Sequence, residues 1–189
     1  PVRSAVKNIH FDGPRASAVF LTASSGAEIS GNVIHDVVGF PWFENLRKAT
    51  GVWILGLPAG GDGPVTGTVT ISGNTIADMH AEDGIGLALV GFEARMRVIG
   101  NDIRGTNFIG ILAFAHEGRT WIQDNNVIPG PEIFPGIYSA GNGIQVGPVF
   151  DGMFKDPVLP AFIHNNRVAC ANVNADGIAP ASDPGSSAI

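Results

Sequence analysis

Cysteine is almost missing from this chain: Cys170 stands alone among 189 residues. A single thiol excludes an internal disulfide and any cysteine-built zinc site. In the apolar setting RVACANV it reads as a small buried hydrophobe. Lysine occurs only at Lys7, Lys48 and Lys155, and no basic run exists, which argues against a nucleic-acid partner. No apolar stretch approaches the roughly 20 residues that cross a bilayer, so no membrane partner is expected. There is no Asn-x-Ser/Thr sequon, no P-loop and no dinucleotide fingerprint after a strand. Leucine is scarce, 8 residues against 19 isoleucines and 17 valines, a bias towards strands over helices.

What is present supports a core. Hydrophobic residues make up 44% and charged residues 15%, which excludes a disordered chain. The 26 glycines and 13 prolines supply many turns. The length suits one domain over 1–189. The abrupt start at Pro1 and the end in ASDPGSSAI lead us to expect a piece of something longer.

The organising feature is a repeat. ISGNVI (29–34) returns as ISGNTI (71–76), VIGNDI (98–103), IQDNNV (122–127) and IHNNRV (163–168). Aligned on one asparagine, the column is Asn32, Asn74, Asn101, Asn125 and Asn166. Three positions earlier stand Ile29, Ile71, Val98, Ile122 and Ile163. Two positions later stand Ile34, Ile76, Ile103, Val127 and Val168. Immediately before the asparagine come Gly31, Gly73, Gly100, Asp124 and Asn165, which tolerate left-handed backbone. Each copy is therefore a short strand, a bend and a second short strand. A third strand follows, opening on Gly and a β-branched residue or its substitute: GVWIL (51–55), GIGLAL (84–89), GILAF (110–114), GIQV (143–146) and GIA (177–179). VKNIHF (6–11) and AVFLT (18–22) suggest one earlier turn, with Ile9 in the asparagine's place.

Intervals between the asparagines are 42, 27, 24 and 41 residues. The shortest is the bare unit, and the longer ones carry insertions near 38–50, 56–67 and 130–160. One unit cannot bury its own apolar side, but stacked units can. The chain is expected to be all-β, about six coils whose strands pair in parallel about 4.8 Å apart. The isoleucine columns become interior stacks and the asparagines a ladder of amides bonded to their neighbours and to the bend.

This pattern, I-x-G-N-x-I followed by G-I-x-L at 22–27-residue spacing, resembles the right-handed parallel β-helix of the pectate-lyase-like superfamily over about residues 5–180. The resemblance implies an extracellular or cell-surface protein that meets a polysaccharide or oligosaccharide along one sheet. It implies, first, a polysaccharide lyase or glycoside hydrolase; the alternative is a non-catalytic glycan-binding, structural or adhesion module. The superfamily contains all of these, so fold alone does not choose.

Four places could carry chemistry. In HAEDGIG, His80, Glu82 and Asp83 could do acid–base work, and Glu82 with Asp83 could hold calcium; otherwise they cap a polar turn. In NADGI, Asp176 is similar to the acid of the Asn-x-Asp-Gly signature of polygalacturonases, in one column with Asp83 and Asn142. The family's further acidic pair, Gly-His-Gly and Arg-x-Lys segments are not found, and Asp-Gly is common turn chemistry. AHEGR brings His116, Glu117 and Arg119 over GFEAR, with Glu93 on Glu117 and Arg95 on Arg119. Arginine forks suit sugar carboxylates, and lyases of this fold often use an arginine as base; the alternative is a surface ion-pair ladder. Finally, if Val52, Ile85, Ile111 and Ile144 point inward, then Trp53, Leu112, Phe114 and Gln145 point outward. There they could stack on sugars, lie under the insertions bearing Trp42, Phe43, Phe134 and Tyr138, or meet another chain. His10, His35 and His164 fall at different offsets and look incidental. The net charge of −6 suits an acidic glycan only if its groove is locally basic or uses a cation. Convergence of His80, Glu82, Asp83 and Arg119 in one cleft would mark an enzyme, and aromatics without them a binder.

Overall fold

The structure, a computed structural model, describes residues 4–43, 46–56, 63–115, 119–130, 142–148 and 161–169. Among the described residues, successive repeats stack their strands in parallel into three sheets. The first sheet stacks Ser4–Lys7, Ala27–Ser30, Thr68–Ser72, Arg95–Ile99, Arg119–Gln123 and Ala161–His164. The second stacks His10–Asp12, Val33–His35, Thr75–Ile76, Asp102–Arg104, Asn126–Ile128 and Arg167–Val168. The third stacks Ser17–Leu21, Leu46–Leu55, Asp83–Phe92, Ile109–Ala115 and Asn142–Pro148. Six coils are thus laid one on another, as the repeat predicts.

Register follows the aligned columns. Ile29 pairs with Ile71, Ile71 with Val98, Val98 with Ile122 and Ile122 with Ile163. Side chains alternate across a strand, so Met96 and Val98 are fully buried while Arg95 and Arg97, alternating with them, are exposed. Ile34, Ile76, Ile103 and Val127 are likewise fully buried and join the same core. The bend residues Gly31, Gly73, Gly100, Asp124 and Asn165 all have φ between 54° and 63°, and Asn8 in the first coil has φ 53°. Only residues that accept this left-handed region fit there.

The asparagines form the expected ladder. The backbone N–H and the Nδ2 of Asn74 both donate to Asn101 Oδ1, at 3.0 and 2.9 Å. Asn101 treats Asn125 in the same way, and Asn125 treats Asn166. Each Nδ2 also donates to a carbonyl one coil back, such as Asn74 to Ile29 O at 3.0 Å and Asn101 to Ile71 O at 3.0 Å. Where Ile9 replaces asparagine, only its backbone N–H reaches Asn32 Oδ1, at 3.0 Å.

The third sheet departs from expectation at one point. Thr50 pairs with Ile85 and Val52 with Leu87, so Gly51 lies beside Gly86 and not Gly84. Ile85 accordingly sits not in the main core but in a second cluster with Ala88 and Ile109, against Trp53, Phe108 and Leu112. The glycines Gly51, Gly86, Gly110 and Gly143 serve close approach. A Cβ on Gly86 would lie 2.5 Å from Ile103 Cγ2, and one on Gly110 would lie 2.2 Å from Val127 Cγ1. The third strand crosses so near the second sheet's inner column that only hydrogen fits between them. Of the insertions, Phe40–Phe43 runs antiparallel to Leu46–Leu55. Residues 57–62, 131–141 and 149–160 lie outside the described residues, as do Cys170 and the GIA segment.

Candidate functional site

The outer face of the first sheet carries exposed cations. Arg95 pairs with Thr68 on one side and with Arg119 on the other. Arg97 pairs with Thr70 and Trp121, and Trp121 pairs with Phe162. Two outward rows result, Thr68–Arg95–Arg119 and Thr70–Arg97–Trp121–Phe162. Thr68, Arg95, Arg97, Trp121 and Gln123 line a depression of about 410 Å³. The rings of Trp121 and Phe162 are stacked, 5.5 Å between centroids and 11° from parallel. Among the described residues no carboxylate lies within ion-pair distance of Arg95, Arg97 or Arg119. The register of Arg95 on Arg119 is as expected. Glu117 and His116 lie outside the described residues. Sequence reasoning missed Arg97, Trp121 and Phe162, which stand four positions before their ladder asparagines.

The HAEDGIG turn sends its three polar side chains to different places. Glu82 Oε2 accepts the backbone N–H of Arg47 at 2.7 Å. Asp83 Oδ2 lies 4.0 Å from Lys48 Nζ, with both side chains largely covered. Asp83 Oδ1 is buried with no hydrogen-bond partner among the described residues. Burial pushes the Asp83 carboxyl above its ordinary range, against the opposing pull of Lys48. Lys48 Nζ also lies 4.7 Å from the centroid of the Trp53 ring. A calcium ion shared by Glu82 and Asp83 would therefore have to compete with the Lys48 ammonium. His80 turns the other way, its Nε2 2.8 Å from Asp36 Oδ1.

On the outer side of the third sheet, Phe20, Trp53, Ala88, Leu112 and Gln145 form one row. Trp53 meets Phe20 edge-on at 5.4 Å, and Phe114 is only 8% exposed. Gln145 is exposed. Trp53, Phe114 and Gln145 therefore belong to a different face from Arg95 and Arg119. The backbone of Asn142 pairs with Ile109, and Ile109 with Ile85, so Asn142 is not in the column of Asp83, which pairs with Lys48. Asp176 lies outside the described residues.

A third group gathers two of the three histidines that look incidental in sequence, His10 and His35, with carboxylates. On the outer side of the second sheet, Asp12 pairs with His35. His35 Nδ1 lies 2.7 Å from Asp36 Oδ2 and 3.7 Å from Asp12 Oδ1. His35 Nε2 lies 2.6 Å from His10 Nε2. The Asp36 carboxylate, with help from Asp12 and Asp78, raises the His35 imidazole above its ordinary value. Hydrogen bonds from His80 and then His35 hold Asp36 below its own. The signal was in the sequence: Asp12 and His35 share one offset in the repeat, and Asp36 and Asp78 share the next.

Against known proteins, the family model described as the right handed beta helix region matches residues 2–147. The chain belongs to this family. No curated protein and no solved structure matches.

For a right-handed β-helix of this kind, an enzyme's acidic and basic groups would be expected to converge. Here His80, Glu82, Asp83 and Arg119 engage separate partners: Asp36, the Arg47 backbone, Lys48 and the arginine face of the first sheet. That first-sheet face sets guanidinium groups with no carboxylate partner among the described residues beside flat, stacked aromatic rings.

Proposed function

We propose that this β-helix binds an acidic glycan along the outer face of its first sheet. The observation that carries the proposal is the set of Arg95, Arg97 and Arg119, without carboxylate partners among the described residues, beside the stacked Trp121 and Phe162. It supplies the local positive field that a chain of net charge −6 needs for a polyanion. Parallel strands repeat about every 4.8 Å along the helix, so successive coils present arginine, arginine and aromatic positions to an extended polymer. On this reading the chain works outside the cell, where such polymers occur, and binding is its main activity. Lyase chemistry, with an arginine of this face as base, is the second reading, favoured by the same three guanidinium groups.

The test is affinity electrophoresis of the purified chain in gels containing polygalacturonate, alginate or a neutral glucan, with and without calcium. Retardation by an acidic polymer, weakened by salt and lost in Arg97→Ala and Trp121→Ala, is the expected result. Equal mobility in all gels would end the proposal. Ultraviolet absorbance from unsaturated products would establish the lyase reading, and new reducing ends without absorbance would point to hydrolysis instead.

A further inference from the structure

We propose that Asp12, His35 and Asp36 form a binding site for a first-row divalent metal ion of the zinc and nickel class, stapling the first coil to the second. One ligand atom from each of the three lies within 4.8 Å of the others. For bonds of about 2.0–2.2 Å, atoms on one such ion lie about 2.9–3.6 Å apart at ordinary coordination angles. The distances from His35 Nδ1, 2.7 Å to Asp36 Oδ2 and 3.7 Å to Asp12 Oδ1, bracket that range. One oxygen of each carboxylate lies within 4.8 Å of the other, and the two would draw together onto a shared ion.

The surroundings of these ligands are already those of a metal site. A metal-bound imidazole normally donates its other ring N–H to an acceptor, and ligating carboxylates are themselves hydrogen-bonded. With an ion on Nδ1, His35 carries its proton on Nε2, 2.6 Å from His10 Nε2, which then accepts it. With Oδ2 of Asp36 on the ion, its Oδ1 still accepts from His80 Nε2 at 2.8 Å. Both partners come from neighbouring coils, so the stack itself orients them. Asp12, Asp36 and Asp78 put three carboxylates around this corner, and a dication offsets their mutual repulsion.

The donor set selects among ions. One imidazole nitrogen with two carboxylates suits zinc, nickel, cobalt or manganese. Calcium takes six to eight oxygens, and this corner offers an imidazole in place of one of them. The side chains of Asp12, His35 and Asp36 are 77%, 28% and 49% exposed, so water completes the coordination. The site lies on the second sheet, and its test is independent of glycan binding.

The test uses the untagged full chain, stripped with EDTA. It is titrated with zinc chloride by calorimetry, and with cobalt chloride by visible absorption. One equivalent bound in the micromolar range is expected, with a cobalt d–d band and no competition from equal calcium chloride. Asp12→Asn and His35→Gln should each weaken zinc binding by at least about tenfold, and His80→Gln by about tenfold through the freed Asp36 oxygen. His164→Gln should change nothing. Melting temperatures in EDTA close to the parent's would show that the variants fold. No saturable zinc binding by the parent, or undiminished binding in either Asp12→Asn or His35→Gln, would overturn the proposal.

Discussion

Replacing Asn101 with leucine tests the ladder at a rung bonded on both sides. The Asn101 side chain accepts from Asn74 N and Asn74 Nδ2 and donates to Ile71 O and Asn125 Oδ1, all at 2.9–3.0 Å. Asn74 and Asn101 are each 1% exposed, so water cannot replace these partners. Leucine leaves two donors of Asn74 unpaired, at about 1–3 kcal/mol each. Its extra apolar surface offsets about 1.5–3 kcal/mol of that, for a net loss of about 1–3 kcal/mol. Asn32→Leu is the internal control. Asn32 Oδ1 takes only one bond from the preceding coil, from the N–H of Ile9, itself 44% exposed. Its loss should be about half as large. Urea unfolding with an unchanged slope would measure both. An Asn101→Leu variant as stable as the parent, or an Asn32→Leu variant that loses more, would refute the stacking of amides as a source of stability.

Four other substitutions follow from particular contacts. Ile9→Asn should extend the ladder by one rung and raise stability by about 0.5–1.5 kcal/mol, read in the same urea assay; a destabilised variant would contradict it. Gly110→Ala should cost about 3 kcal/mol, because its Cβ would meet Val127 Cγ1 at 2.2 Å and Gly143 O at 2.7 Å. Gly73→Ala should cost only about 1 kcal/mol, since nothing lies within 4 Å and the φ of +60° alone is unfavourable; thermal melts that reverse this order would count against the close crossing. Burial lifts the native Asp83 carboxyl above its ordinary 3.8, so between those two values the folded state holds more protons than the unfolded one. Stability contributed by this group is then lost as pH rises through the raised native value. Asp83→Asn escapes that loss, so its stability relative to the parent should climb as pH rises above the ordinary carboxyl value of 3.8, and a flat difference would show that Asp83 titrates normally.

The coil was legible because its determinants are local and repeated. Ile71, Gly73, Asn74 and Ile76 lie within six residues, and four near-copies fix which residues overlie them. The third strand was legible only in part. GIGLAL offers both Gly84 and Gly86 as the start of the column, and the connections from ladder asparagine to glycine vary in length. What selects Gly86 is the Ile103 methyl 2.5 Å from where a Cβ would stand, a contact between different coils. The two-residue difference between these registers would by itself keep every side chain on its face; Ile85 and Leu87 nevertheless lie in different clusters, so the alternation breaks at Gly86 and leaves Ile85 out of the main core.

The functional corners were harder for a related reason. Side chains that meet across coils are separated by a whole repeat, so proximity in sequence misleads. Glu82 and Asp83 are neighbours in the chain and end with different partners, while Asp12 and His35 are 23 residues apart and face each other. Read by offset from the ladder asparagine, the outward positions at even distances before it give Thr68, Arg95 and Arg119 in one row and Glu28, Thr70, Arg97, Trp121 and Phe162 in another. The same reading puts Asp12 with His35, and Asp36 with Asp78. In a stacked coil, chemistry is assembled by column, and comparing histidines only with histidines hides a column that mixes imidazole with carboxylate. The GFEAR segment ends at Arg95, but the alternation Arg95–Met96–Arg97–Val98 already required that two guanidinium groups share the outer face.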